Sequence, residues 1–176
     1  MSDSQAITFR AARPEDHKTL LEINQEGQPG VVALDLAELR RLEALADYLK
    51  VLEVGGRVSG YLIGFLRGTE YDGEEFGWFR RTYPDPFLYV DQIAVSSRSR
   101  KRGLGQALYD DIEAFAMRKL ISRLTCEVNL EPPNPASLEF HRRIGFSEVG
   151  RMNTRDGRTV ALLSRHVGDA TKAAGD

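Results

Sequence analysis

One stretch constrains the fold more than any other: a strand-like run that passes directly into a basic turn containing glycine. Residues Phe87–Val95 are almost entirely apolar, which is typical of a central strand covered on both faces. Beyond the turn, apolar residues recur at the spacing of one helix face, at Leu104, Leu108, Ile112 and Phe115. A buried strand, a short turn and an amphipathic helix in succession predict a mixed α/β domain.

The turn between strand and helix combines positive charge with backbone freedom. Its basic and glycine residues are Arg98, Arg100, Lys101, Arg102, Gly103 and Gly105. Glycine lets a backbone approach a ligand closely, and the first amides of a helix attract phosphate oxygens. We therefore expect a phosphate group, from a pyrophosphate or a 3′-phosphate, at the start of this helix, with the basic side chains as further donors. A structural turn with a solvated basic face is the alternative.

Two widespread phosphate-binding loops do not fit this turn. A Walker loop places Lys and then Ser or Thr directly after its last glycine, but Gln106 follows Gly105 here. A dinucleotide-binding fingerprint needs a third glycine, and residue 108 is leucine. The turn therefore belongs to neither class.

Periodicity and turn residues predict the remaining elements around this unit. The pair Gly55-Gly56 predicts a tight hairpin turn, because such turns need two residues with positive φ. The segment 67–86 has no clear period and is predicted to be a long loop, either an aromatic cluster on the surface or a flap over the substrate. The other predicted elements are strand Ile7–Arg10, a helix opening at Arg13–Asp16, a helix over Leu36–Leu49, strands Leu49–Val54, Arg57–Leu66 and Arg123–Val128, a helix from Asn134-Pro135 to Ile144, and strands Phe146–Arg151 and Arg158–Arg165 around Asp156-Gly157.

Charge and composition limit the kind of partner. Lys and Arg total 24 against 26 Asp and Glu, and the net charge of −2 argues against general nucleic-acid binding. The single cysteine, Cys126, excludes a disulfide framework and a multi-cysteine metal cluster, and we expect a small core residue there and no metal.

Length and hydropathy set further expectations. No run approaches the ~20 apolar residues of a membrane span, and the first nine residues lack a signal peptide's apolar core. We therefore expect a soluble cytoplasmic protein with no membrane partner. The length of 176 residues predicts a single domain over 1–166, followed by a flexible tail over 167–176.

Two short motifs in the expected order resemble those of the GNAT superfamily of N-acetyltransferases. The sequence Arg-Lys-Arg-Gly-Leu-Gly at 100–105 matches that family's Gln/Arg-x-x-Gly-x-Gly/Ala signature, and 89–95 resembles its fourth strand. Downstream, 127–129 and 134–146 resemble its second conserved block. The resemblance extends over about residues 5–165.

This resemblance implies a GNAT-like fold of the mixed α/β (α+β) class. The family has a twisted, mainly antiparallel sheet of about six or seven strands with splayed fourth and fifth strands, flanked by about four helices. The implied activity is N-acetyl transfer from acetyl-CoA to a primary amine, by direct attack in a ternary complex. We expect the acceptor to be a small polar amine or amino acid, with a peptide N-terminus and a homodimer left open. A non-catalytic CoA-binding regulatory module is the alternative.

The resemblance also assigns cofactor contacts. In the family the backbone of the fourth strand, here near Ile93 and Val95, pairs with the pantetheine arm, and the amides of the turn hold the pyrophosphate. The position of Asn134 often contacts the cofactor too. The cofactor-binding residues expected on this basis are Ile93, Val95, Arg100, Lys101, Arg102, Gly103, Leu104, Gly105, Gln106 and Asn134.

Three side chains are candidates for proton transfer, because the amine must lose a proton before it attacks and the departing thiolate must gain one. Glu127 lies where some protein N-terminal acetyltransferases of the family carry a catalytic glutamate. Asp91 is the rival base, and a structural role is the alternative for either carboxylate. His141 stands where the family usually has a tyrosine, the suggested acid. We leave open an imidazole acid, a solvent proton, a structural histidine, or substitution by Tyr89 or Tyr83.

Overall fold

The computed structural model describes residues 6–168. Within them the chain forms seven strands, five α-helices and two short 3-10 helices. The strands are β1 (Ile7–Ala11), β2 (Tyr48–Val54), β3 (Arg57–Leu66), β4 (Phe87–Val95), β5 (Arg123–Glu131), β6 (Ser147–Asn153) and β7 (Thr159–His166). The helices are α1 (His17–Gly27), α2 (Leu36–Leu45), α3 (Glu74–Thr82), α4 (Leu104–Arg118) and α5 (Pro135–Arg143), with 3-10 helices at Pro14–Asp16 and Ser97–Ser99. No helix among the described residues is long and apolar enough to cross a membrane.

The seven strands form one sheet in the order β1-β2-β3-β4-β5-β7-β6. The pairs β1–β2, β2–β3, β5–β7 and β7–β6 are antiparallel, whereas β4–β5 is parallel. This arrangement confirms the predicted mixed α/β class and the mainly antiparallel sheet.

The described chain divides into two compact units. The first unit contains the residues up to Gly64 together with Gln92–Asp111. The second unit contains Phe65–Asp91 together with Ile112 onward. Strand β4 runs through both, so its first five residues belong to the second unit and its last four to the first.

In the first unit, a buried polar network fixes the chain after α1. The hydroxyl of Tyr61 donates to Gln92 Oε1 at 2.8 Å, and Asn24 Nδ2 donates to the same oxygen at 3.1 Å. Asn24 also donates to the carbonyl of Val32 at 2.9 Å. Because buried amides need partners, this network holds α1, β3 and β4 in one arrangement. The predicted hairpin is confirmed, since Gly55 and Gly56 have φ values of 58° and 76°.

In the second unit, the parallel register between β4 and β5 is short. It runs from Phe87↔Arg123 to Val90↔Cys126, although β4 continues to Val95 and β5 to Glu131. Asp91 and Glu127 are the first residues of each strand beyond the register. Cys126 is buried, as expected of a small core residue.

The sequence prediction is wrong for part of the segment 67–86, where α3 replaces the expected loop. Phe76 and Phe79 are spaced by three residues and fully buried, so they form the apolar side of a short helix. Acidic residues occupy its first turn and basic residues its last turn, which suits the helix dipole. The helix has only nine residues and contains Gly77, and for this reason its period is weak. It brings the number of α-helices among the described residues to five instead of about four.

Two further boundaries differ from the sequence prediction. Helix α2 ends at Leu45, because Leu49 belongs to β2 although it continues the helical spacing. At the other end of the chain, Val167 and Gly168 form a turn whose amides donate to Ser122 O at 3.0 Å and Glu113 Oε1 at 2.6 Å. The rest of the predicted tail, 169–176, lies outside the described residues.

Candidate active site

The turn before α4 has the backbone geometry of an anion-binding site. Lys101 and Gly103 have φ values of 61° and 74°, in the left-handed region, and a Cβ placed on Gly103 would meet no atom within 4 Å. Ala107 N donates to Gly103 O at 3.1 Å, so the amides of residues 104–106 precede the first helical bond. Such amides and left-handed turns concentrate N–H groups on one side, where they bind anions.

The turn is fastened to its own unit by Arg100 and Glu26. The guanidinium of Arg100 donates to Glu26 O at 3.0 Å and to Val95 O at 3.4 Å. The carboxylate of Glu26 accepts from Ser97 N at 2.6 Å, and this backbone hydrogen bond lowers the pKa of Glu26. In this arrangement the Arg100 side chain shapes the turn, and its role at the cofactor stays a prediction.

Apart from Asn134, which precedes α5, the other expected cofactor residues lie in three places. Lys101, Arg102 and Gly103 are exposed on the turn, and Leu104 is buried as the first residue of α4. Ile93 and Val95 are half-buried on the part of β4 that lies beyond its register with β5. Their pairing with a pantetheine arm stays a prediction. Gly105 and Gln106 are half-buried in the first turn of α4.

In the second unit, carboxylates and tyrosines gather just beyond the end of the β4–β5 register. The Tyr89 hydroxyl donates to Glu127 Oε2 at 2.7 Å, and the Tyr71 hydroxyl donates to Asp91 Oδ1 at 2.6 Å. The two rings lie 6.3 Å apart, centroid to centroid. Each predicted base candidate therefore accepts a hydrogen bond from a phenol.

Two further members of this cluster, Glu75 and Arg158, were missed by the sequence reasoning. Arg158 Nη2 lies 3.0 Å from Glu75 Oε1, and Arg158 Nη1 donates to Asn129 Oδ1 at 3.1 Å. Glu75 lies in α3 and Arg158 just before β7, so no local spacing links them to the strands that carry Asp91 and Glu127. The sequence signal that could have indicated Glu75 was the pair of acidic residues at the start of α3, Glu74 and Glu75.

The protonation of the cluster is set by burial. Burial, with Glu75 and Asp91 nearby, raises the pKa of Glu127 well above its usual value, while the Tyr89 hydrogen bond and Arg158 oppose this. Burial and the same carboxylates raise the pKa of Tyr71 and of Tyr89, so both phenols stay protonated donors. A carboxylate with a raised pKa is suited to accept a proton near neutral pH.

His141 is a buried, neutral ring. Its Nδ1 lies 2.8 Å from Ser137 O, a geometry in which Nδ1 carries the proton and donates it to the carbonyl. Burial lowers the pKa of His141 to about 4. A neutral imidazole offers no acidic proton at neutral pH, so the geometry favours the structural and solvent-proton alternatives over an imidazole acid. Asn134 caps the same helix, its Oδ1 accepting from Ser137 N at 3.3 Å.

Comparison with known proteins agrees with these features. The family model described as "Acetyltransferase (GNAT) family" matches residues 15–146. A 5-NmdU N-acetyltransferase of Pseudomonas phage PaMx11 is 26% identical over 161 residues, covering 89% of this chain and 97% of that protein. Among solved structures, Ard1 from Thermoplasma volcanium is similar with a TM-score of 0.72 and 21% identity, covering 92% of this chain and 98% of that one.

A second solved structure carries the cofactor. The yncA protein of Salmonella typhimurium, determined with its cofactor acetyl-CoA, has a TM-score of 0.66 and 19% identity, covering 92% of this chain and 94% of that one. At these identities the two structures show a shared fold, which is the fold described above. The family match spans three-quarters of the chain and includes both the turn before α4 and the helix α5. The chain therefore belongs to the GNAT family of acetyltransferases.

Proposed function

We propose that this protein transfers an acetyl group from acetyl-CoA to a primary amine by direct attack, with Glu127 as the general base. The observation that carries this proposal is the environment of Glu127. Glu127 is half-buried, its carboxylate accepts a hydrogen bond of 2.7 Å from Tyr89, and its pKa is raised well above the usual value. The family membership supplies the reaction class, and this carboxylate supplies the proton acceptor the reaction needs.

The turn before α4 would hold the donor. The amides of residues 104–106 and the left-handed backbone at Lys101 and Gly103 fit the pyrophosphate of acetyl-CoA, because helix N-termini attract phosphate oxygens. The structure of the Salmonella typhimurium relative was determined with acetyl-CoA, which supports this choice of donor. The extended backbone near Ile93 and Val95 would pair with the pantetheine arm.

The proposed chemistry balances without a covalent enzyme intermediate. The ammonium form of the acceptor gives one proton to the Glu127 carboxylate, and the free amine attacks the thioester carbonyl carbon. The C–N bond forms, and the nitrogen of the tetrahedral intermediate loses its second proton to solvent. The intermediate then collapses to the neutral amide, and the C–S bond breaks to release the CoA thiolate. That thiolate takes its proton from solvent, because neither the neutral His141 ring nor the Tyr89 phenol, with its raised pKa, is acidic at neutral pH.

The acceptor would be a cationic amine of small size, either a polar amine or an amino acid. Glu75 and Asp91 place negative charge beside Glu127, and each acts on its pKa more strongly than Arg158 does in the opposite direction, which favours an ammonium group near them. The phage relative is an N-acetyltransferase, in agreement with an amine acceptor. A peptide N-terminus has the same charge and is the second acceptor class to be tested.

Replacement of Glu127 by glutamine tests the assignment of the base. Because Glu127→Gln keeps the shape of the side chain but cannot accept the proton, we expect kcat to fall by roughly 10²–10⁴-fold. The dissociation constant of acetyl-CoA, measured by calorimetry, should stay within about two-fold, since the donor is bound by the turn before α4.

The matched control is Glu131→Gln, which removes an exposed carboxylate from the same strand. This variant should keep the activity of the unaltered enzyme. If Glu127→Gln keeps full kcat at every pH, the base is another group and the proposal is wrong.

A further inference from the structure

A cavity of about 200 Å³ lies in the first unit, beside the β2–β3 hairpin turn. Its polar lining consists of three arginines and two serines, Arg57, Ser59, Arg98, Ser99 and Arg102. The lining comes from two elements, β3 and the turn that follows β4. Ser96 N donates to Ser59 O at 2.8 Å, and this bond joins the two walls. Both walls of the cavity are therefore joined through the backbone of the first unit.

The charge of the cavity is uncompensated among the described residues. Guanidinium groups stay protonated in proteins, so the three arginines carry three positive charges. Within residues 6–168, none of these three arginines forms a salt bridge with a carboxylate, whereas Arg10 and Arg158 each do. Three like charges around one cavity repel each other, and an anion between them removes that cost.

Two hydroxyl groups belong to the polar lining of the cavity. Ser59 and Ser99 are only 4% and 9% exposed, whereas the three arginines are exposed. The Ser59 hydroxyl donates to Arg57 O at 3.0 Å, which leaves its oxygen free to accept only. The Ser99 hydroxyl has no hydrogen bond to any of the residues 6–168 and is therefore available as a donor.

We propose that this cavity binds a phosphate monoester group. Arginine side chains bind phosphate through paired, charge-assisted hydrogen bonds, and a serine hydroxyl adds one more donor. The volume decides the size of the ligand: pockets for drug-sized molecules occupy roughly 300–1,000 Å³, so about 200 Å³ accommodates one phosphate and not a whole nucleotide. Arg57 and Ser59 belong to β3, whereas the amides proposed to hold the pyrophosphate lie in the first turn of α4.

The phosphate could come from two sources, and the experiment distinguishes them. One source is the 3′-phosphate of CoA, in which case the inference extends the proposed donor site. The other is a separate phosphorylated small molecule, which would bind whether or not the protein is a transferase. Binding of inorganic phosphate tests the site itself and does not depend on the proposed reaction.

The first measurement is a titration of the whole protein with inorganic phosphate, in which binding is monitored by NMR. Saturating dephospho-CoA is present throughout, so that the donor site is occupied. We expect saturable binding that Arg57→Gln weakens by roughly ten-fold, because one of three charge-assisted contacts is lost. Arg40→Gln, which removes an exposed arginine from α2, is the control and should leave the affinity unchanged. Absence of saturable binding, or equal weakening by both variants, would overturn the proposal.

The second measurement compares CoA with dephospho-CoA by calorimetry. If Arg57→Gln abolishes the preference for CoA, the 3′-phosphate occupies the cavity. If the preference is unchanged while phosphate binding is lost, the site accepts a separate phosphorylated molecule. Either result supports the site, whereas an Arg57→Gln variant that is unaltered in both assays refutes it.

Discussion

At the scale of single residues, Glu127 is held between groups that act on its proton in opposite directions. Burial, Glu75 and Asp91 raise its pKa, and the hydrogen bond from Tyr89 lowers it. The balance determines the pH below which the carboxylate is protonated and cannot accept a proton from the amine. The acidic limb of the pH–rate profile should therefore report this pKa.

Two conservative variants should move that limb in opposite directions. Asp91→Asn removes a negative charge near Glu127 but keeps an oxygen for the Tyr71 hydroxyl, so the pKa of Glu127 falls and activity extends to lower pH. Tyr89→Phe removes the hydrogen bond to the carboxylate, so the pKa rises and the limb moves to higher pH. The measurement is kcat/KM against pH for each variant. Shifts in the same direction for both would show that the limb belongs to another group.

The lowered pKa of His141 predicts a change in the stability of the protein with pH, not a change in turnover. This pKa is lowered from 6.5 to about 4 in the folded protein, so the unfolded chain takes up the proton first as the pH falls. Stability is therefore lost between about pH 6.5 and pH 4, by about 3 kcal/mol in total for this group. The free energy of unfolding, measured with urea across this pH range, should fall more steeply with decreasing pH for the unaltered protein than for His141→Gln. Equal slopes would mean that the ring is not buried in its neutral form.

At the scale of elements, the turn before α4 depends on a glycine for two separate reasons. Gly103 has a φ of 74°, which disfavours any residue with a Cβ, and its open side is where the pyrophosphate would approach. Gly56 has a φ of 76° and equally open surroundings, but lies in the β2–β3 hairpin. An alanine would therefore be strained at either position, but only at Gly103 would its methyl group also face the proposed pyrophosphate.

Alanine at these two glycines should separate strain from binding. Gly103→Ala and Gly56→Ala should each lower the free energy of unfolding by about 1 kcal/mol, because both residues would adopt a left-handed conformation. Only Gly103→Ala should weaken acetyl-CoA, by roughly ten-fold on calorimetry, since its methyl group enters the phosphate site. An unchanged affinity in Gly103→Ala would remove this turn from the donor site.

The success of sequence reasoning differed between elements for physical reasons. Strand β4 and the start of α4 were predicted with their observed bounds, because a continuous apolar run, glycines and a helical period are all local signals. Helix α3 was missed because it is short and interrupted by Gly77. Glu75 and Arg158 were missed because their contact joins positions 83 residues apart, and only the fold brings them together.

At the scale of the whole molecule, the net charge of −2 conceals two opposite concentrations of charge. Basic residues gather at the turn before α4 and around the cavity beside Arg57, while carboxylates gather around Glu127. The basic residues would attract an anionic donor, and the carboxylates would attract a cationic acceptor. The single-domain organisation, the cytoplasmic location and a homodimer stay predictions.

Amine-dependent release of thiol from acetyl-CoA tests the proposed reaction itself. The measurement uses a panel of small polar amines, amino acids and short peptides, with mass spectrometry of the acetylated product. We predict release with at least one amine, a 1:1 match between thiol and acetylated amine, and loss of both in Glu127→Gln. Tight binding of acetyl-CoA without thiol release on any amine would contradict the account and favour a CoA-binding module.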